Sequence, residues 1–242
     1  KESLLDQSLL IPFAILTAIS IVFIYSSSSV VADTDFGNQY FYLQRQLIAL
    51  SIGLLAGSIF LFIPISFYKE NGLLLILFSA FLLTLVFIPG IGVEKNGSLR
   101  WINIGFNIQP SEIAKIFVPI YLCGYCLRRK EQLENSWWGF IKPLILTSII
   151  SILLLLEMDL GATVVIFAIG IIILFIGGAK FNQLLLLFLV FLSTVILIAY
   201  FNEERWSRVI SFSNPWDDVR GSDYQLINAL VASVQGGFSG LG

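Results

Sequence analysis

An acid and a base lie three residues apart inside a hydrophobic stretch of this chain. Glu112 and Lys115 follow Pro110, which suits the first turn of a helix because a proline lacks only an N–H that would have no helical partner there. The spacing places both side chains on one helical face. An ionisable pair in an apolar span marks a functional site, unless the two charges only neutralise each other and fix helix packing. We expect the pair to face a bundle interior.

Two further acids flank Met158 at the end of a later apolar run. Glu157 and Asp159 could join Glu112 in an acidic cluster, whose carboxylate oxygens would suit Mg²⁺ or Mn²⁺. Glu112 and Asp159 are the candidate metal ligands of that cluster. Asp159 could instead cap the helix that follows it, and capping would not exclude catalysis.

The composition of the chain removes several other chemistries. Without a single histidine, the chain cannot supply a Ser-His-Asp triad, a histidine-bound zinc or an imidazole proton shuttle. Carboxylates or lysines must therefore carry any acid–base chemistry that this chain performs. Cys123 and Cys126 have the spacing of a redox motif, but they lie inside an apolar helix without a second ligand pair, which favours a structural role.

Hydropathy identifies the chain as an all-α polytopic membrane protein. Of its 242 residues, 57% are hydrophobic and 12% are charged, and the mean hydropathy is +0.89. About 20 apolar residues span a bilayer as a helix. Residues 1–201 contain seven such runs, at 8–32, 46–63, 72–90, 110–127, 140–157, 162–178 and 183–201. The net charge of −2 and the lack of a basic tail exclude nucleic acid as an expected partner.

The placement of lysine and arginine predicts the orientation of these spans. With the N-terminus in the cytoplasm, the inside set is Lys1, Lys69, Arg128, Arg129, Lys130, Lys142 and Lys180, and the outside set is Arg45, Lys95, Arg100, Lys115, Arg205, Arg208 and Arg220. The last three arginines lie in a long segment, whose charges count less toward topology. The remaining bias favours a cytoplasmic N-terminus, which places the loops at 33–45, 91–109 and 157–161 on one outer face.

Residues 202–242 form a polar segment after the seventh run. Apolar residues from Tyr224 to Val234 recur at helical spacing, which predicts a short amphipathic helix against the membrane surface. The glycine-rich stretch that follows lacks the Gly-Lys-Ser/Thr of a P-loop, so we interpret it as a flexible turn.

Six segments, taken together, resemble one family. They are 39–46, 96–102, 109–115, 159–163, 214–218 and 221–225, and they include Gln109-Pro-Ser-Glu112 and Asp159-Leu-Gly161. In this order and spacing they are similar to the SEDS family of shape, elongation, division and sporulation membrane proteins, which includes FtsW and RodA. Segments 214–216 and 221–225 favour the division branch of the family over the elongation branch.

The resemblance implies a ten-helix membrane fold and a peptidoglycan glycosyltransferase that polymerises lipid II at the outer face of the bacterial cytoplasmic membrane. It also implies several partners: lipid II and the growing glycan strand, a class B penicillin-binding protein that acts as transpeptidase, and other division or elongation proteins. On this interpretation, residues 202–242 begin a large extracytoplasmic loop. The family's proposed catalytic aspartate would follow Gly242, so the chain is expected to be an inactive fragment.

The resemblance also directs attention to particular residues. It makes Asp159, Glu112 and Lys115 candidate catalytic residues, and Arg45, Arg100 and Trp101 candidate substrate-binding residues. Transfer from a lipid-linked diphosphate needs an anionic leaving group to be stabilised and an acceptor hydroxyl to be deprotonated. Guanidinium groups suit phosphate oxygens. Each of the two arginines could equally be an interfacial anchor, and Trp101 could belong to an aromatic belt.

One departure from the family and two other functions remain open. Where the family usually has proline, this chain has Met158, which changes the local turn. The same charged cavity could bind the lipid II headgroup in a flippase without cleaving it, and alternating openings or inverted repeats would favour that function. A membrane scaffold that recruits a transpeptidase is the third possibility.

Overall fold

The computed structural model describes residues 6–95, 98–103, 107–201, 206, 216, 224–237 and 240. Its helices up to residue 200 are α1 Gln7–Phe36, α2 Phe41–Phe62, α3 Ile65–Leu85, α4 Pro110–Arg128, α5 Lys130–Asn135, α6 Trp137–Leu156, α7 Leu160–Ile176 and α8 Phe181–Tyr200. A C-terminal helix spans Tyr224–Gly236. Arg205, Arg208 and Arg220 lie outside the described residues.

The predicted all-α membrane fold is confirmed. Each of the seven apolar runs corresponds to one helix, namely α1 to α4 and α6 to α8. Among the described helices, five are long and apolar enough to cross a membrane, and α7 is a shorter apolar helix of 17 residues. The third run was predicted at 72–90, but α3 begins at Ile65, because Pro64 adopts an extended conformation and admits a helix directly after it. Helix α5 was not predicted.

The chain forms two compact units, Lys1–Ile63 with Leu226–Gly242, and Pro64–Gln225. In the first unit, α1 and α2 form a helical hairpin. Asp6 caps α1 by accepting a hydrogen bond from the Ser8 backbone N–H at 2.9 Å, and Gly37 ends the helix with a left-handed φ of 63°. The rings of Phe36 and Phe41 stack across the turn with centroids 3.9 Å apart. The predicted helix within 202–242 is confirmed at Tyr224–Gly236, where Ile227 is buried.

The second unit, which we call the central unit, packs four helices around one core. Buried side chains of α3, α4, α6 and α7 meet there: Ile76, Leu83, Ala114, Val118, Tyr121, Leu122, Ile150, Leu154, Ala162 and Ile166. Close packing of this kind replaces the hydrophobic driving force that is missing between helices in lipid. The backbones of α3 and α4 approach so closely at Gly72 that a Cβ there would lie 3.1 Å from the Tyr121 Cα.

A small antiparallel sheet connects α3 to α4, and the hydropathy pattern did not predict it. Its strands are β1 Gly92–Lys95, β2 Ser98–Asn103 and β3 Asn107–Ile108, in the order β1-β2-β3. Val93 pairs with Trp101, and Ile102 pairs with Ile108. The sheet ends one residue before Gln109, so it delivers the chain directly to the first turn of α4.

The short helix α5 packs tightly against the start of α6. A Cβ at Gly139 would lie 2.1 Å from the carbonyl oxygen of Gln132, so only glycine fits at this crossing. The Tyr125 hydroxyl also donates a 2.7 Å hydrogen bond to the Gly139 carbonyl. These contacts join α4, α5 and α6 at one end of the central unit.

Replacing Gly139 by Ala should destabilise the protein by about 1–3 kcal/mol, because the added methyl group forces the α5 and α6 backbones apart. Thermal unfolding in detergent micelles measures the change. Gly53→Ala is the matched control, since a Cβ at Gly53 meets no atom within 4 Å and alanine suits the interior of α2. Equal melting temperatures for the Gly139 variant and the wild type would contradict the tight crossing.

Candidate functional site

The first turn of α4 carries polar residues on two of its faces. Gln109 precedes the helix in an extended conformation, and Pro110 occupies the first helical position. Ser111 is fully buried, whereas Glu112 is exposed. Consecutive helical residues point about 100° apart, which explains this difference. Ser111 therefore faces the core of the central unit, and the Glu112 carboxylate does not.

The turn between α6 and α7 holds two of the candidate acids, Glu157 and Asp159, on either side of an unusual backbone conformation at Met158. Helix α6 ends at Leu156, Met158 has a left-handed φ of 61°, and Asp159 is the N-cap of α7. The Asp159 Oδ1 accepts a hydrogen bond from the Ala162 N–H at 3.1 Å. The capping alternative for Asp159 is thus confirmed. A left-handed conformation is uncommon for a residue other than glycine, so neighbouring contacts must hold Met158 there.

Asp159 joins this turn to α4. Its second oxygen, Oδ2, accepts hydrogen bonds from the Ser111 hydroxyl at 3.1 Å and from the Gln109 side-chain amide at 3.2 Å. With the capping bond, the carboxylate accepts three hydrogen bonds, and the residue is only 6% exposed. Buried polar groups need such partners, because each unsatisfied one costs free energy. The arrangement fixes the direction of the Asp159 carboxylate.

Arg100 reaches the same turn from strand β2. Its guanidinium donates hydrogen bonds to the carbonyl oxygens of Glu157, at 3.5 Å, and of Met158. These bonds explain how the Met158 peptide is held in place. Within the described part of the chain, Arg100 forms no ion pair with an acid, and it binds this turn through backbone carbonyl oxygens.

Glu157 is an unpaired acid beneath this turn. Its side chain is fully buried, and among the described residues neither carboxyl oxygen has a hydrogen-bond partner. Burial and the nearby charge of Asp159 raise the pKa of the Glu157 carboxyl, Arg100 lowers it, and together they set it at about 8. Glu157 is therefore a neutral carboxylic acid at pH 7.

The structure pairs Glu112 with Lys115 directly. The Lys115 Nζ donates to the Glu112 Oε1 at 2.7 Å, and the side chains of Lys115 and Glu112 are 27% and 60% exposed, respectively. The pairing on one helical face is confirmed. Glu112 does not face the interior of the central unit, contrary to expectation, because its position in the first turn of α4 turns it away from Ser111 and the core. The expected proximity of the pair to Asp159 or Arg100 stays a prediction.

The three acids expected to hold a metal do not form one cluster. Glu112 lies on the exposed face of α4, Asp159 is enclosed by hydrogen-bond donors, and Glu157 is neutral. No group of three or more metal-binding side chains occurs within the described residues. As placed, Glu112 and Asp159 supply too few oxygen ligands for Mg²⁺ or Mn²⁺ without additional donors.

The other candidate substrate-binding residues occupy separate places. Trp101 lies on β2 beside Arg100 and is half-buried. Arg45 belongs to the first unit, where its guanidinium carbon lies 4.6 Å from the centre of the Phe41 ring. Sequence reasoning did not identify Gln109 and Ser111 as partners of Asp159. Their position next to Glu112 in one short motif was the sequence signal that could have identified them.

Glu157→Gln should reduce the pH dependence of stability. The folded protein keeps Glu157 protonated up to about pH 8, while the unfolded chain releases that proton near the ordinary value of 4.5. Stability should therefore fall as the pH rises from about 4.5 to about 8, and the glutamine variant should lose less. Thermal unfolding in micelles at pH 5 and pH 8.5 tests this. The exposed Glu131→Gln serves as control, and identical pH profiles for the wild type and Glu157→Gln would refute the assignment.

Comparison with known proteins assigns this chain to a family. Residues 6–242 match the model of the FtsW, RodA and SpoVE family, described as cell cycle proteins. The probable peptidoglycan glycosyltransferase FtsW of Pseudomonas fluorescens is 41% identical over 239 residues, which cover 98% of this chain and 59% of that protein. FtsW of Buchnera aphidicola from Acyrthosiphon pisum is 39% identical over 94% of this chain and 57% of its own length. The chain thus spans about three-fifths of these curated relatives.

Solved structures support the same placement. A chain from a peptidoglycan synthase complex, described as coordinating polymerization and crosslinking, is 26% identical with a TM-score of 0.64, over 88% of this chain and 64% of that one. The rod shape determining protein RodA of Thermus thermophilus shares the fold at 24% identity, with a TM-score of 0.55 over 89% of this chain and 74% of its own. The family match over nearly the whole sequence, together with the relatives at about 40% identity, shows that this chain belongs to the FtsW, RodA and SpoVE family of cell cycle membrane proteins.

Proposed function

We propose that this chain, within the full-length protein, polymerises lipid II as a peptidoglycan glycosyltransferase. The observation that carries the proposal is the oriented Asp159 carboxylate, held by Gln109, Ser111 and the α7 N-terminus, next to a peptide to which Arg100 donates a hydrogen bond. A glycosyl transfer from a diphosphate donor requires both a carboxylate and a fixed positive charge. Relatives named peptidoglycan glycosyltransferase support this activity.

The reaction exchanges one C–O bond for another. The acceptor hydroxyl loses its proton and attacks the anomeric carbon of the donor sugar, while the bond from that carbon to the diphosphate breaks and the diphosphate leaves with the bonding electron pair. A carboxylate is the proton acceptor available to a chain without histidine. Arg100 and Lys115 are the cations that we assign to the leaving diphosphate. We assign this proton transfer to Asp159, and Trp101 contributes to substrate binding beside Arg100. Arg45 belongs to the first unit and stays a separate candidate for substrate binding.

Placement in the cell follows the same proposal. We assign the protein to the bacterial cytoplasmic membrane, with a cytoplasmic N-terminus and the Asp159 turn at the outer face. The excess of basic residues in the inside set supports that orientation. The likeness to a peptidoglycan synthase complex supports a transpeptidase partner of the class B penicillin-binding type. The similarity to FtsW proteins favours the division branch.

Asp159→Ala in the full-length protein should abolish lipid II polymerisation while membrane insertion continues. Asp159→Asn separates the roles of the residue, because asparagine caps a helix as well as aspartate but carries no negative charge. We expect the asparagine variant to melt within a few degrees of the wild type and to form no glycan chains in a lipid II polymerisation assay. Asp35→Asn, at an exposed position in α1, is the matched control and should retain activity. Normal chains from Asp159→Asn would reduce Asp159 to a helix cap.

Dependence on a divalent cation stays a prediction. Glu112 and Asp159 form no cluster in the described structure, so the diphosphate oxygens of the substrate would have to supply most of the coordination, and the cation would offset the negative charge of the diphosphate. The full-length protein should lose polymerase activity in chelator and regain it with Mn²⁺ or Mg²⁺. Glu112→Gln should raise the metal concentration required for half-maximal activity. Activity that is indifferent to chelator would leave the neutralisation of the diphosphate to Lys115 and the arginines alone.

A further inference from the structure

Six basic side chains gather at the end of the central unit that lies farthest from Asp159. Helix α4 leads from the candidate site to this end over 19 residues, a distance of about 28 Å at 1.5 Å per residue. All six side chains are exposed, and together they define what we call the basic end: Lys69, Arg128, Arg129, Lys130, Lys142 and Lys180.

Direct contacts bring the elements of the basic end together. The Arg128 guanidinium donates a hydrogen bond to the carbonyl oxygen of Lys69, which joins α4 to the start of α3. The tight crossing at Gly139 joins α5 to α6, which carries Lys142. A Cβ at Gly178 would lie 2.8 Å from the Glu134 carboxylate, so the turn before Lys180 packs against α5. Six positive charges therefore share one surface.

Acidic residues neutralise only part of this charge. Glu70, Glu131 and Glu134 lie on the same elements, which leaves six basic side chains against three acidic ones. Among the described residues of the basic end, one ion pair forms, between Lys130 and Glu134 at 3.7 Å. The surface therefore keeps a positive excess that a soluble counterion or a fixed anion must balance.

Two exposed tryptophans lie beside these charges. Trp137 and Trp138 open α6 and are 53% and 59% exposed. The Ser136 hydroxyl accepts hydrogen bonds from the Trp138 and Gly139 N–H groups, which fixes this first turn. The Lys142 Nζ lies 5.9 Å from the centre of the Trp138 ring. Tryptophan with lysine at a helix end is typical of the headgroup layer of a membrane.

We propose that the basic end binds the headgroups of anionic phospholipids in the leaflet that it faces. Charge complementarity favours a phosphate-bearing partner, and the adjacent tryptophans place the charges at headgroup depth, where a lipid phosphate lies. An acidic protein segment could pair with the basic side chains, but it would not explain why the indole rings of Trp137 and Trp138 are exposed. The proposal depends on the membrane fold and not on the polymerase activity.

Lipid retention by the full-length protein tests this assignment. The protein is purified in detergent, mixed with phosphatidylglycerol or phosphatidylcholine, and examined by native mass spectrometry. We expect preferential retention of phosphatidylglycerol, which increasing salt should weaken. The triple variant Lys69→Gln, Arg129→Gln and Lys142→Gln should retain phosphatidylglycerol about tenfold less, with phosphatidylcholine unchanged. These side chains are exposed, and the variant leaves the Arg128 hydrogen bond intact.

A control variant that removes negative charges from the same surface, instead of positive ones, is also available. Glu70→Gln with Glu131→Gln removes two exposed acids from the basic end and should retain phosphatidylglycerol at least as well as the wild type. If the triple variant fails to fold, Lys142→Gln alone should still lower retention, and Lys142→Arg should restore it. Equal retention of the two lipids by the wild type, or undiminished phosphatidylglycerol retention by a folded variant, would overturn the proposal and leave an acidic protein segment as the partner to seek.

Discussion

The hydrogen bonds of Asp159 hold one end of the central unit together. A carboxylate that is 6% exposed must satisfy its oxygens with protein donors, and three different donors do so here. One donor belongs to α7 itself, and the other two come from Gln109 and Ser111, about 50 residues earlier in the chain. The first turn of α4 and the α6–α7 turn therefore cannot separate without leaving a buried charge unpaired. This requirement fixes where the sheet, α4 and α7 meet.

The same requirement determines the charge state of the neighbouring residues. Two carboxylates this close in a buried turn cannot both be ionised at low cost, and only one of them has donors. Asp159 has the hydrogen bonds, whereas the Glu157 carboxyl remains neutral without them. A neutral Glu157 has a consequence for Arg100, whose guanidinium binds the turn through carbonyl oxygens alone. The two hydrogen bonds thus hold the Arg100 guanidinium at the turn that carries Asp159.

The sequence predicted seven of the helices well, because each is marked by an apolar run, but it missed the polar helix α5. Capping by Asp159 was one of the alternatives that the sequence left open, because it depends only on the residues next to it. The sequence did not predict the partnership of Asp159 with Gln109 and Ser111, since that contact depends on how α4 packs against a distant turn. Nor could it tell Glu157 from Glu112 as the buried acid. That distinction arises from the left-handed Met158, which turns the backbone between Glu157 and Asp159, and from the helical direction of Ser111.

The two ends of the central unit differ in how far their ionisable groups are exposed to the surroundings. Around Asp159, the charged and acidic groups are enclosed, and fixed dipoles partly compensate them in a region of low dielectric. At the basic end, the lysines and arginines are exposed, and the flanking tryptophans mark the membrane boundary. Enclosed charges keep a fixed geometry, which suits chemistry on a diphosphate. If the exposed cations bind lipid headgroups, as we propose, they set the depth at which the enclosed site lies.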